Sequence, residues 1–174
     1  MNFFSAIAYG NKILKDQFIS TSQLDSEILM SEVIKKDRKY ILLNLNKEID
    51  KKDFKSFQKL INTRAQRKPI AYLINKKSFW SSDFFVNSGS LIPRPDTEII
   101  VEKVLKYSKF KNNLKILDIG IGSGCILLSI LKEKVNFYGT GIDISQKCLD
   151  ICKINAVKLK VISRLKLFKS DVDK

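Results

Sequence analysis

The stretch Ile116-Leu117-Asp118-Ile119-Gly120-Ile121-Gly122-Ser123-Gly124 constrains this chain more than any other. A short apolar run rich in β-branched residues ends in an acid and then in three glycines at alternate positions. Ile126, Leu127, Ile130 and Leu131 follow at helical spacing. That order predicts a buried strand, a tight turn and a helix. Glycines at such a turn let backbone N–H groups come close to a ligand, because no Cβ intervenes. The spacing is not the G-x-G-x-x-G of dinucleotide folds, since Cys stands at 125 and Leu at 127. A second acid, Asp143, ends the next apolar segment, Phe137 to Ile142. An acid at the end of a second strand is where nucleotide-binding α/β folds hold a ribose diol. The pattern points to a nucleoside ligand without a pyrophosphate.

Around this turn, from Leu114 onward, strand and helix patterns alternate. Strands are predicted at 115–119, 137–142 and 164–169, the last ending at Ser170-Asp171, and helices at 123–133 and 145–156. Such alternation predicts a parallel sheet built by crossover connections. Composition narrows the chemistry. No His occurs among the 174 residues, so neither a Ser-His-Asp or Cys-His arrangement nor a His-ligated zinc site can be built. Cys125, Cys148 and Cys152 are odd in number and lack C-x-x-C spacing, which reads as small apolar residues in a reducing compartment. The formal charge of +14 is dispersed, with 14 basic and 8 acidic side chains in residues 1–68, 7 and 4 in 69–112, and 11 and 6 in 113–174. Dispersed charge reads as solvated helix faces rather than a nucleic-acid cleft. The N-terminal apolar run lacks a basic flank and is too short to span a bilayer, so a soluble cytoplasmic protein is expected.

Residues 1–68 read as a small helical bundle. Phe3 to Leu14 is a first helix. Ser22-Gln23-Leu24-Asp25 is a weak capping-box start for a second, carrying Leu24, Ile28, Leu29 and Val33. Tyr40 to Leu43 is apolar and of ambiguous type. Asp50 caps a further helix whose Phe54, Phe57, Ile61 and Ala65 share one face, with Lys51, Lys52, Lys55 and Lys59 on the other. From Pro69 to residue 92, Ile70 to Ile74, Phe79-Trp80 and Phe84-Phe85-Val86 are β-type clusters broken by Asn75, Ser81-Ser82-Asp83 and Asn87-Ser88-Gly89, which predicts a β-hairpin linker. In Leu91-Ile92-Pro93-Arg94-Pro95-Asp96-Thr97-Glu98 two prolines force extended backbone and delay any helix to Asp96. Asp96 or Thr97 then caps a helix that buries Ile99, Ile100, Val101, Val104 and Leu105.

Three of these stretches together resemble the HemK/PrmC protein-(glutamine-N5) methyltransferases, which act on class I peptide chain release factors. They are Pro69-Ile70-Ala71-Tyr72-Leu73 with Phe79-Trp80 and Phe85-Val86, the Leu91 to Glu98 stretch with Val101-Glu102, and the Asp118 to Gly124 turn. The turn alone indicates a class I methyltransferase; the proline-arginine stretch before it is the specific element. The resemblance implies a helical domain at 1–68 that recognises the release factor, a hairpin linker at 69–92, and from 93 to 174 part of a Rossmann-like domain binding S-adenosylmethionine. It also implies that Gly120, Ile121, Gly122, Ser123 and Gly124 lie beneath the methionine part of that cofactor, with Asp118 orienting the turn or meeting the amino group. Asp143 would then take the ribose hydroxyls and Asp171-Val172 would lie against the adenine. Arg94 and Glu98 would stand at the pocket mouth.

Two departures are mild: Asn75 stands where the family has Gly, and Val172 where it tends to an aromatic. The third is large. The family's catalytic Asn-Pro-Pro-Tyr is absent, and no Asn-Pro pair occurs anywhere in these 174 residues. An amide nitrogen is a poor nucleophile, and in the family that motif accepts its N–H bonds and aims it at the sulfonium methyl. With three strands the Ile116 to Ile119 strand would form an exposed apolar edge. The expectation is an N-terminal portion of such an enzyme, inactive alone, with no catalytic residue of its own and a C-terminal half missing. A non-catalytic release-factor-binding or split-enzyme subunit, and an adenine-N6 nucleic-acid methyltransferase, are the alternatives.

Overall fold

A computed structural model describes residues 1–172 of the chain. They form two compact units, Met1–Ile74 and Asn75 onward.

The first unit is helical. Helix α1 (Phe3–Asp16) starts where the Asn2 side chain accepts the Ser5 N–H. Helix α2 (Ser22–Ile34) does not start on a Ser22 cap, since Thr21 precedes it and Ser22 is buried within it. Its predicted apolar stripe also fails at Leu24, which is 41% exposed, because α2 buries Asp25, Ser26 and Glu27 instead. Those acids have partners: Arg64 donates to Asp25 at 2.7 Å and Arg38 to Glu27 at 2.6 Å. A buried carboxylate is tolerable only when paired in this way. The ambiguous Tyr40 segment is helix α3 (Arg38–Leu43), capped by Asp37. Asp50 caps α4 (Lys51–Ala65) through the Asp53 N–H, and Phe57 and Ile61 are fully buried as predicted. A Cβ on Gly10 would fall 2.8 Å from Ile61 and 2.9 Å from Phe57, so only Gly lets α1 approach α4 this closely.

Residues 70–74 correct the β-type expectation. Ile70–Leu73 is a short helix, α5. Pro69 presets the entry backbone at φ −57°, and Ile70, Leu73 and Ile74, at helical spacing, pack on the helical core. Asn75 then takes a left-handed backbone at φ 50°, which Asn tolerates better than most residues.

The second unit opens with an antiparallel hairpin of β1 (Lys77–Phe79) and β2 (Ser82–Phe84). Its turn is Trp80-Ser81, both at positive φ (45° and 55°), and not the predicted Ser81 to Asp83 break. The hairpin is fastened to the rest of the unit rather than lying free as a connector. Phe79 and Phe84 are buried in the unit's core and meet edge to face. After a 3-10 turn at Pro95–Thr97 comes α6 (Glu98–Tyr107). The turn starts at Pro95 itself, whose fixed φ suits a first helical position. Val101 is buried, whereas Ile99 and Ile100, expected inside, are 56% and 46% exposed.

From here the predicted alternation holds: β3 (Lys115–Ile119), α7 (Cys125–Glu133), β4 (Tyr138–Asp143), α8 (Gln146–Lys158) and β5 (Leu165–Lys169). The sheet is parallel with order β3-β4-β5. Leu127 seats against Gly139, where a Cβ would lie 2.9 Å away, so α7 packs directly on the middle strand. On the opposite face Leu117, Ile119, Tyr138 and Phe168 are each more than half exposed. Ile119, Ile142 and Phe168 form one row across the three strands.

Candidate functional site

The carboxyl ends of β3 and β4 bring Asp118, the glycine turn and Asp143 together. Gly120, Gly122 and Gly124 all have positive φ (76°, 56° and 81°), a region that disfavours residues with a Cβ. The turn is held from below. The Gly120 and Ile121 N–H groups donate to the Ile142 carbonyl at 2.8 and 3.0 Å, and the Gly122 N–H donates to Asp143 Oδ2 at 2.9 Å. The other Asp143 oxygen, Oδ1, accepts the Ser145 N–H at 2.9 Å. Asp143 thus ties the turn to the start of α8, a structural duty that its place at a strand end did not reveal. A carboxylate has about four lone-pair sites, so two bonds leave capacity for a ligand hydroxyl.

The glycines differ in what surrounds them. A Cβ on Gly124 would meet Cys152 Sγ at 2.7 Å and Leu128 at 2.8 Å, so that glycine serves packing. A Cβ on Gly120 would meet nothing within 4 Å. Open space beside a side-chain-free turn is room for a ligand. Ile121 belongs to the core: it is 4% exposed and its Cδ1 fills the place a Cβ on Gly141 would take. Ser123 is 3% exposed, and its carbonyl accepts the Asn155 Nδ2 donor at 2.9 Å.

Asp118 lies near the Leu127 N–H in the first turn of α7, which favours its charged form. Burial raises its pKa above the ordinary carboxylate value, and the neighbouring Asp143 charge adds to this. The thiols behave as the apolar residues expected. Burial is the main cause of the upward shift in all three, and Cys152 is pushed up to about 12. None is a thiolate nucleophile at neutral pH.

The remaining predicted residues lie around this centre. Ser170 N donates to the Asp143 carbonyl at 3.2 Å, which puts Asp171 and the exposed Val172 just past the same end of the sheet. Arg94 is exposed. Glu98 has a specific partner: its Oε1 accepts the Trp80 N–H at 2.9 Å and steadies the left-handed hairpin turn. Glu133 accepts the Trp80 indole N–H at 3.1 Å, and Lys132 donates to Ser82 at 2.8 Å. Asn155 is the residue the sequence reading passed over. Its only signal was a polar side chain on the same α8 face as Leu149, Cys152 and Ala156.

Comparison with known proteins agrees with this architecture. Residues 5–74 match the family model described as the PrmC N-terminal domain. Over 172 residues the chain is 38% identical to a release factor glutamine methyltransferase of Clostridium acetobutylicum, covering 99% of this chain and 60% of that protein. A namesake from Buchnera aphidicola subsp. Baizongia pistaciae is 42% identical over 148 residues, covering 84% and 53%. The chain matches the N-terminal part of release factor glutamine methyltransferases. It spans between about half and three-fifths of the length of these relatives. A solved SAM-dependent methyltransferase from Geobacter sulfurreducens, in complex with S-adenosyl-L-homocysteine, is 27% identical over 42% of this chain and 29% of its own, with a TM-score of 0.38.

Proposed function

We propose that this chain is the N-terminal part of an S-adenosylmethionine-dependent methyltransferase that modifies the glutamine side-chain amide nitrogen of class I peptide chain release factors. The observation that carries the reading is the 38% identity to a release factor glutamine methyltransferase over 99% of the chain. The open space over Gly120 supports a place for the cofactor. In this reading Gly120, Ile121, Gly122, Ser123 and Gly124 line its methionine part, and Asp143 takes the ribose hydroxyls. Asp171 and Val172 flank the adenine. Asp118 orients the turn or meets the cofactor's amino group, and Arg94 and Glu98 stand where substrate enters. When bound, the cofactor supplies an electrophilic methyl on sulfur; these residues hold and orient it. The domain at 1–68 recognises the release factor, and the protein acts in the cytoplasm. Among the described residues no helix is long and apolar enough to cross a membrane.

The described sheet supports one qualification. Parallel sheets are covered on both faces, yet Leu117, Ile119 and Phe168 are exposed here and β3 forms an edge. A covering layer, in the same or a separate polypeptide, belongs on that face, and a further strand beside the β3 edge would carry the amide-positioning residues. The test is transfer of labelled methyl from S-adenosylmethionine to a release factor. The 174 residues alone should transfer none. Adding a protein that holds the remaining length of the relatives should place label on one glutamine. Transfer to RNA or DNA in place of the release factor would favour an adenine-N6 enzyme.

A further inference from the structure

We propose that Asn155 is a positioning residue that couples the Phe85–Arg94 segment to the glycine turn, so that ligand binding at the turn and order in that segment rise and fall together. The proposal rests on the cofactor reading above. Asn155 is fully buried. Its Oδ1 accepts the Phe85 N–H at 2.7 Å, and its Nδ2 donates to the Phe85 carbonyl at 3.0 Å and the Ser123 carbonyl at 2.9 Å. One amide group therefore reads both backbone groups of the residue after β2 and, at the same time, a carbonyl inside the turn.

Its neighbours on the same face of α8 do related work. Cys148, Cys152 and Asn155 are spaced four and three apart and so share a face. Cys148 Sγ donates to the Gly89 carbonyl at 3.2 Å, and Cys152 sits beneath Gly124. Gly89 itself passes close enough to α8 that a Cβ would come within 3.2 Å of Lys147. This face of α8 thus pins residues 85 and 89 alongside 123 and 124. Asn155 bonds to both segments at once through a single side chain. A buried polar group with every bond made specifies one arrangement, and a half-satisfied one does not. The chain between Phe85 and Arg94 is short, so displacing Phe85 moves the approach to the turn.

The experiment is titration of S-adenosylhomocysteine into the 174-residue chain and into Asn155→Ala and Asn155→Asp. Asp keeps the acceptor for Phe85 N–H but turns a carboxylate oxygen toward two carbonyls. Both variants should bind about tenfold more weakly, as expected when a supporting residue shifts a site by a fraction of an ångström. In the unaltered chain, saturating S-adenosylhomocysteine should slow hydrogen exchange at the Phe85 amide. That readout needs no variant to fold. Undiminished affinity in a folded variant, or Phe85 exchange unchanged by bound ligand, overturns the proposal. Absence of binding to the unaltered chain overturns the cofactor reading, and the coupling with it.

Discussion

At the residue scale, the acids at the strand ends have a structural duty beside the ligand role proposed for them, and only the proposed role is suggested by the sequence. Asp143 could be placed at a ribose site from its position after an apolar run, but its bonds to Gly122 and Ser145 depend on how the turn folds back. Asp118 is the sharper case. Its folded-state pKa is raised, first by burial and then by Asp143, against the Leu127 N–H that favours the charged form. A raised carboxyl favours folding while it is protonated. That contribution is lost as pH rises out of the ordinary carboxylate range, and above it the ionised side chain weighs against folding. Asp118→Asn keeps the shape of the side chain and removes the charge. It should melt higher than the unaltered chain at pH 7, and the difference should vanish toward pH 3–4, near the ordinary Asp value of about 3.9. Melting curves of both across that range check the sign.

At the element scale, periodicity read well where one face was apolar and failed where burial was polar. The strands and helices from Lys115 onward lie within a few residues of their predicted places, because alternation of β-branched runs and amphipathic stretches leaves little choice. Helix α2 failed because its buried Asp25 and Glu27 take partners from α4 and α3, and no local pattern announces a partner 39 residues away. The segment Ile70 to Ile74 failed because five apolar residues fit either period, and packing on the helical core decided. Arg164 was silent in the sequence for the same reason. Its guanidinium donates to the carbonyls of Leu131, Lys134 and Phe137 at 2.6, 2.9 and 2.8 Å, satisfying acceptors at the C-terminal end of α7. Replacement by Met leaves these without their charged donor and should lower unfolding stability by about 2–3 kcal/mol, and Lys should restore only part of it. Denaturant unfolding of the two variants measures this.

At the scale of the whole molecule, the second unit presents one finished face and one bare one. Helices α7 and α8 close the side that holds Gly139 and Gly141, and the hairpin is tied on by Glu98, Glu133, Lys132 and Asn155. The row Ile119, Ile142 and Phe168 looks outward. The fold class and the site's centre were legible because a strand, a glycine turn and a helix leave a continuous local signature. The clamps on the hairpin were not, because each joins residues 18 to 70 positions apart. The turn from Asp118 to Gly124, with Asp143, is proposed to hold an adenosine ligand that has no pyrophosphate. Calorimetric titration of S-adenosylhomocysteine, with NAD as the comparison, tests it most directly. The account predicts saturable binding of S-adenosylhomocysteine and none of NAD. Binding of NAD, or of neither ligand, would contradict it.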